Sequence, residues 1–315
     1  MGRVLVGDPH FSLAAVRELL AGVADAEPAE APWQGDDVVG LLVGPDYPVT
    51  GDDLESLPAL AIVATPSVGH DHVDLAAAAA RGVWVTNVPD YCVDEMADST
   101  LALLLALLRG VVTLDRSVRA GDWDYTAAGP LRRLEETRLG LVGFGRIGRA
   151  VAARARALGI SVAATDEVVA DDEIGAAGVR PAELSELLAS CDAFSLHLPL
   201  TPATEGMIGE DELERMPRGA VLVNTARARL VDLDALLRAL ESGHLAGAAL
   251  DVLPVEPPTP AAPPPEHPRL VVTPHAAWYS EEAEHEVYRR ATLAVRAVLE
   301  GRVPDGAVVR APARA

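Results

Sequence analysis

The sequence predicts an α/β protein built from two doubly wound parallel-sheet domains, and three observations lead there. Short apolar runs alternate with amphipathic segments along almost the whole chain, the pattern of parallel strands joined by crossover helices. One of these units, residues 138–166, carries a full dinucleotide-binding signature. The chain's 315 residues, half of them hydrophobic, are more than one ordinary core requires.

Taken in order, Val4–Val6 reads as a strand and Leu13–Leu20 as an amphipathic helix. Val38–Val43 is a second strand, followed through a Gly/Pro/Asp turn by Leu54–Leu57. Leu60–Ala64, the alanine-rich helix Asp74–Ala80 and Val83–Val85 continue the alternation. Residues 93–109 read as one long helix, acidic at its start and closed by Arg109, dense enough in apolar residues to be a buried hinge helix. Gly121–Pro130 then interrupts the pattern.

The signature unit opens with the strand Leu139–Val142, continues as Gly143-Phe144-Gly145-Arg146-Ile147-Gly148, and carries Ala150, Val151, Ala155 and Leu158 at helical spacing. Gly143 permits the tight turn, Gly145 lets a pyrophosphate approach the backbone, and Gly148 lets the helix lie close on the strand. The helix start offers unpaired N–H groups and a positive dipole end. A second strand, Ser161–Thr165, stops at Asp166, eighteen residues beyond Gly148 and near the roughly 20 expected of the acid that accepts the ribose hydroxyls.

Beyond it the alternation predicts helix 183–189, strand 193–198, short helical pieces around Ile208 and Leu213, strand 220–225, helix 233–240 and strand 246–252. A proline-dense loop over 254–268 precedes a last strand, 270–273, and a final helix from about Glu281 to Leu299 that can cross back to the first domain.

Ligands of open α/β sheets sit at the carboxyl ends of the strands. Three of those ends carry reactive groups: Arg227 after VLVNT, Glu256 after AALDV, and His275 after the last strand. A guanidinium grips a carboxylate in a fork, an imidazole exchanges a hydroxyl proton, and a neighbouring carboxylate orients the ring and favours its charged form. Each also has a structural reading: a surface arginine, a solvated loop carboxylate, a structural histidine. Their joint occurrence after a dinucleotide unit favours reversible hydride transfer to a 2-oxo acid.

The formal charge of −21 argues against nucleic acid or an anionic membrane as partner. Every basic residue is arginine, which excludes a lysine nucleophile or Schiff base. Cys92 and Cys191 stand far apart without metal-ligand spacing, so no metal and two free thiols in a reducing compartment are expected. The N-terminus shows no signal pattern and no apolar run is long enough for a membrane span, which leads to a cytoplasmic expectation.

The motifs NVPDYCVDEMADST, LGLVGFGRIGRAVA, SLHLPLTPATEGMI, VLVNTAR, GAALDV, VEP and TPHAAWYS, in this order, resemble the D-2-hydroxyacid dehydrogenase family. DYCVDEMADST, HAAWYSEEA and EGRVPDGAV look most like its C-terminal-binding-protein branch. The resemblance implies a flavodoxin-like substrate domain (1–97 with 281–315), an NAD-binding Rossmann domain (98–280), hinge helices between them, NAD as cofactor and a homodimer. It makes Arg227 the anchor of the substrate carboxylate and carbonyl, His275 the acid/base and Glu256 its partner. Asp251 would hold the nicotinamide carboxamide. Thr100, Phe144, Arg146, Ile147, His197, Pro199, Thr225, Ala226, Arg227 and His275 would border the cofactor.

On the same resemblance Val68, Gly69 and Trp278 would line the substrate site together with Arg227 and His275. Trp278 also reads as a core aromatic at a helix start, and His70 and His72 read equally as substrate-facing or as solvated turn residues. The chain departs from the family pattern at Ala228, where glycine is usual, and at Arg229, where a small residue is usual. Its loop ATPSVGHDHVD is closer to that of erythronate-4-phosphate dehydrogenases. These departures leave the acid itself open. A second reading that the resemblance permits is an NAD(H)-sensing, corepressor-like interaction protein with little turnover, against which Arg227, Glu256 and His275 all stand intact.

Overall fold

A computed structural model describes residues 2–310. The chain divides into two compact units, one formed by residues up to Tyr91 together with those from Ser280 onward, the other by Cys92–Tyr279. The first begins β1 (Gly2–Val6), α1 (Leu13–Leu19), β2 (Ala24–Pro28), β3 (Val38–Leu42), α2 (Gly51–Glu55), β4 (Ile62–Ala64), α3 (Leu75–Arg81) and β5 (Trp84–Thr86). The second holds α4 (Val93–Leu108), α5 (Val111–Arg119), β6 (Arg138–Val142), α6 (Arg146–Ala157), β7 (Ser161–Thr165), α7 (Asp171–Ala176), β8 (Arg180–Pro181) and α8 (Leu184–Ser190). It continues with β9 (Ala193–Leu196), α9 (Glu210–Arg215), β10 (Ala220–Asn224), α10 (Leu233–Glu241), β11 (Leu245–Leu250) and β12 (Leu270–Val272). The chain then returns to the first unit as α11 (Glu281–Leu299) and β13 (Ala307–Val309).

Both sheets are doubly wound. The first runs β13-β5-β4-β3-β1-β2 and the second β12-β11-β10-β9-β6-β7-β8, all neighbours parallel except the antiparallel pair β13 and β5. The strand order reverses at β1 in one and at β6 in the other, which opens a crevice at the carboxyl ends there. In the second unit successive residues serve opposite faces. Leu139, Leu141 and Val223 pack with Phe144 and Val151 on one side; Val142, Phe194 and Leu222 pack with Leu236 and Leu250 on the other. Each such side chain contributes about 1.5–3 kcal/mol by leaving water, so the sheet is held from both faces.

Helix α4 packs on α6, β10 and β11 within the second unit and buries Ala97, Thr100 and Leu104. Arg154 of α6 bridges to Asp94 and Asp98 on α4 at 2.7 and 2.6 Å, one turn apart on the same face.

Some segments differ from the sequence reading. Ile208 is not in a helix: it forms an isolated bridge with Val231, its N–H donates to Leu230, and its carbonyl accepts from Asp232. Only the piece around Leu213 is helical, as α9. Helix α2 begins at Gly51, ahead of the apolar pair, because Thr50 and Asp53 close a capping box there. Strands β2, β8 and β13 and helix α7 are additions. β2 and β8 lie at sheet edges with a proline and few buried side chains, and α7 buries only Ile174, so neither leaves a clear periodic pattern. Among the described residues no single helix is long and apolar enough to cross a membrane.

Candidate active site

The glycine loop is built as tightly as its sequence suggests. Gly143 adopts φ +102°, and a Cβ added there would come within 2.3 Å of the His197 carbonyl oxygen. A Cβ on Gly148 would come equally close to the Gly143 carbonyl oxygen, so α6 can lie this close to β6 only with glycine. Gly145, the N-cap of α6, is different: a Cβ there meets no atom within 4 Å. Room for a ligand therefore opens at Gly145, where the helix presents its unpaired N–H groups.

Asp166 closes this end of the site. Its Oδ2 accepts from the Phe144 N–H at 2.6 Å and its Oδ1 from Val168 and Val169 at 2.8 and 2.9 Å. Burial alone would raise its pKa, but these three donors and the Arg149 charge outweigh it and hold the carboxyl below its ordinary value. An open glycine, a helix start and an ionised acid at the tip of β7 fit a dinucleotide.

His197 follows β9 beside this loop. Burial pushes its imidazole down to about 4, so it stays neutral, and its Nε2 pairs with the buried Ser195 hydroxyl at 3.0 Å. Pro199 opens the turn that Thr201 and Thr204 then close by mutual hydrogen bonds.

At the end of β10 the buried Asn224 shapes the next loop. Its Oδ1 accepts from the Ala226 N–H and its Nδ2 donates to the Arg227 carbonyl, at 3.0 and 2.9 Å. Thr225 shares a buried hydroxyl pair with Thr100 of α4 at 2.9 Å, tying this loop to the helix. Arg227 leaves the sheet in extended conformation and donates from Nη1 to the Ala226 carbonyl. Two residues on, Arg229 turns outward to an exposed ion pair with Glu205.

His275 stands after β12 with Nδ1 2.6 Å from Glu256 Oε2, and the other oxygen of Glu256 accepts from the Leu253 N–H. The carboxylate makes Nδ1 the donor and leaves Nε2 to carry a transferable proton. Burial pulls the imidazole pKa down, but the hydrogen bond and charge of Glu256 and the charge of Asp251 prevail, and the net shift is upward despite Arg227. Glu256 is pushed up by burial, yet His275, the Leu253 N–H and Arg227 bring it below its usual value.

His275 is also the one described non-glycine residue with positive φ, 52°. Asp251 holds it there: Oδ1 accepts from the Thr273 hydroxyl and the Ala276 N–H, Oδ2 from the Ala277 N–H, all within 2.9 Å. Trp278 ends this turn, half-buried and edge-on to Tyr279.

The second unit thus gathers Gly143–Gly148, Asp166, His197, Pro199, Thr225, Ala226, Arg227, Asp251 and His275 at the carboxyl ends of its strands, with Thr100 behind them on α4. Val68 and Gly69 belong to the other unit, in the loop after β4. There Ser67 Oγ donates to the Gly69 carbonyl at 2.5 Å and Asn87 to the Val68 carbonyl at 2.6 Å. His70 and His72 lie in the turn before α3. Sequence reasoning passed over Ser195 and Asn224. Their signal was a polar residue at a buried position of an otherwise apolar strand.

Comparison with known proteins identifies the family. The description "D-isomer specific 2-hydroxyacid dehydrogenase, NAD binding domain" matches residues 101–277. A glycerate dehydrogenase of Methylorubrum extorquens is 38% identical over 271 residues, covering 81% of this chain and 82% of that relative. A glyoxylate reductase of Korarchaeum cryptofilum is 40% identical over 277 residues, covering 87% and 82%. The solved structure of an Aquifex aeolicus D-lactate dehydrogenase, complexed with NAD and lactic acid, superposes with a TM-score of 0.86 at 27% identity, covering 95% of this chain and 96% of that one. None of these three names the C-terminal-binding-protein branch, and that finer likeness stays an expectation of the sequence.

Proposed function

The chain belongs to the D-isomer specific 2-hydroxyacid dehydrogenase family, and on that premise we propose that it reversibly reduces a small 2-oxo acid to the D-2-hydroxy acid, with Arg227, His275 and Glu256 carrying the reaction. Its cofactor is NAD. When bound, NADH supplies the hydride that reduces the substrate's C2 carbonyl. Arg227 binds the substrate carboxylate and polarises the adjacent carbonyl oxygen, on which charge develops. His275 Nε2 gives its proton to that oxygen, and the ring ends neutral. Glu256 holds the ring by Nδ1 and favours the charged form before transfer. In the oxidative direction the same nitrogen takes the hydroxyl proton.

The observation that carries this reading is the 2.6 Å His275–Glu256 pair at the end of β12, in a unit whose glycine loop fits the cofactor. On the cofactor side, the α6 N-terminus would take the pyrophosphate, Asp166 the adenosine ribose, and the loops bearing His197, Pro199, Thr225, Ala226 and Asp251 the nicotinamide end. Val68, Gly69 and Trp278 are proposed on the substrate side and a homodimer as the assembly, both by family resemblance. The names of the relatives point to short substrates such as glyoxylate or the 2-oxo acid of glycerate.

Steady-state reduction of a 2-oxo acid panel by variants at the two arginines tests the assignment. Arg227→Lys replaces a planar fork with a point charge and is expected to lower kcat/KM more than tenfold, about 1.4 kcal/mol. Arg229→Ala removes a residue already engaged with Glu205 and should change little. A substrate with a second anionic group would be the exception, showing a raised KM in Arg229→Ala. The reverse ranking would show that the loop around Ala228 presents the other arginine.

A further inference from the structure

The glycine loop is fixed by its peptide planes as well as by its glycines. A trans peptide turns its C=O and N–H to opposite sides. In the Gly143–Phe144 peptide, the N–H donates to Asp166 Oδ2 at 2.6 Å while the carbonyl faces Gly148. In the next peptide the Phe144 carbonyl accepts from Arg149 Nε at 3.1 Å, so the Gly145 N–H must point away from Arg149. Gly145 has no side chain to resist a turn of that plane. If it flipped, a carbonyl oxygen would take the place of an N–H beside the helix start where anions bind.

Arg149 is itself held on two further sides. Its Nη2 bonds Glu173 Oε2 of α7 at 3.1 Å, and its guanidinium lies 5.0 Å over the Phe144 ring, which is fully buried. We infer that Arg149 is a positioning residue for the cofactor's pyrophosphate: it locks the Phe144–Gly145 peptide with its N–H outward, and Glu173 locks Arg149. The inference rests on NAD as cofactor and not on the chemistry proposed for Arg227 and His275. Because it is read by binding alone, the failure of one leaves the other standing.

The test compares ligands with and without a pyrophosphate. NADH affinity is measured by fluorescence titration, and ADP-ribose and adenosine by calorimetry. Arg149→Met keeps an unbranched apolar stem but removes the donor and the guanidinium over Phe144. It is expected to weaken NADH and ADP-ribose about tenfold, on the order of 1.4 kcal/mol, while adenosine stays within about twofold. Arg149→Lys retains the charge without the fork and should fall between, and Glu173→Gln should weaken ADP-ribose about threefold. If Arg149→Met does not fold, the other two variants carry the same comparison. Equal weakening of ADP-ribose and adenosine, or unchanged binding with a lower Tm, would make Arg149 only a staple between α6 and α7 and overturn the inference.

Discussion

At His275 burial and the charge of Arg227 work against the carboxylates of Glu256 and Asp251, and the carboxylates prevail. On the proposed chemistry reduction consumes the ring's proton, and it is therefore expected to decline only above pH 6.5, the imidazole's ordinary value. Glu256→Gln leaves only the charge of Asp251 against burial, and the declining limb of the pH–rate profile should move to lower pH. His275→Gln should remove most turnover and leave NADH binding in place. A profile unchanged by Glu256→Gln would take Glu256 out of the mechanism. The pair bears on folding as well. Stability from the raised imidazole is lost as pH rises through its folded pKa, and stability from the depressed carboxylate is lost as pH falls through its own. Asp166 sets a second residue-scale preference. It is held ionised by three N–H groups, and with the adenosine ribose proposed to sit on it, the 2′-phosphate of NADP would meet its charge. Such a like-charge contact costs several kcal/mol, about a hundredfold or more in kcat/KM for NADH over NADPH. Asp166→Ala should narrow that gap, and equal wild-type values for the two cofactors would contradict it.

Within β6, α6 and the loop between them, the glycines divide by what surrounds them. Gly143→Ala meets the His197 carbonyl at a backbone angle that L-residues avoid, and should cost about 1–3 kcal/mol of stability, read as a lower Tm. Gly145→Ala meets no atom and has an ordinary φ of −69°, so Tm should barely change while the Kd for NADH rises about tenfold, because the added methyl fills the room left for phosphates. Similar Tm losses in both variants would refute the distinction. This element was legible because strand, glycines, helix and acid are consecutive in sequence. The strand-end positions of Arg227, Glu256 and His275 were legible for the same reason. The contacts that shape the loops carrying them were not, since they join distant residues: Asp251 reaches the turn 22–26 residues on, and Thr100 meets Thr225. Edge strands such as β2 escaped because a strand paired on one side buries too little to leave a pattern.

Across the whole molecule the dominant quantity is the charge of −21, carried against a substrate class and a cofactor that are both anionic. Long-range repulsion slows their approach and is screened by salt over a Debye length of about 10 Å at 0.1 M. Raising NaCl from about 10 to about 150 mM should therefore raise kcat/KM for a 2-oxo acid on the order of twofold; a fall would show that a local positive field governs entry. The path of the chain through its two units has a consequence of its own. Every strand of the second sheet lies between residues 138 and 272, whereas the first sheet needs β13, and its packed helix α11 lies beyond residue 280. On a ribosome, which delivers about 5–20 residues per second, the second unit can close its core while the first still lacks its last helix and strand. Until α11 is made, the nascent first sheet lacks the helix that supplies Val287, Ala291, Ala294 and Val295 to its core, so this unit, begun first, is the last to be completed.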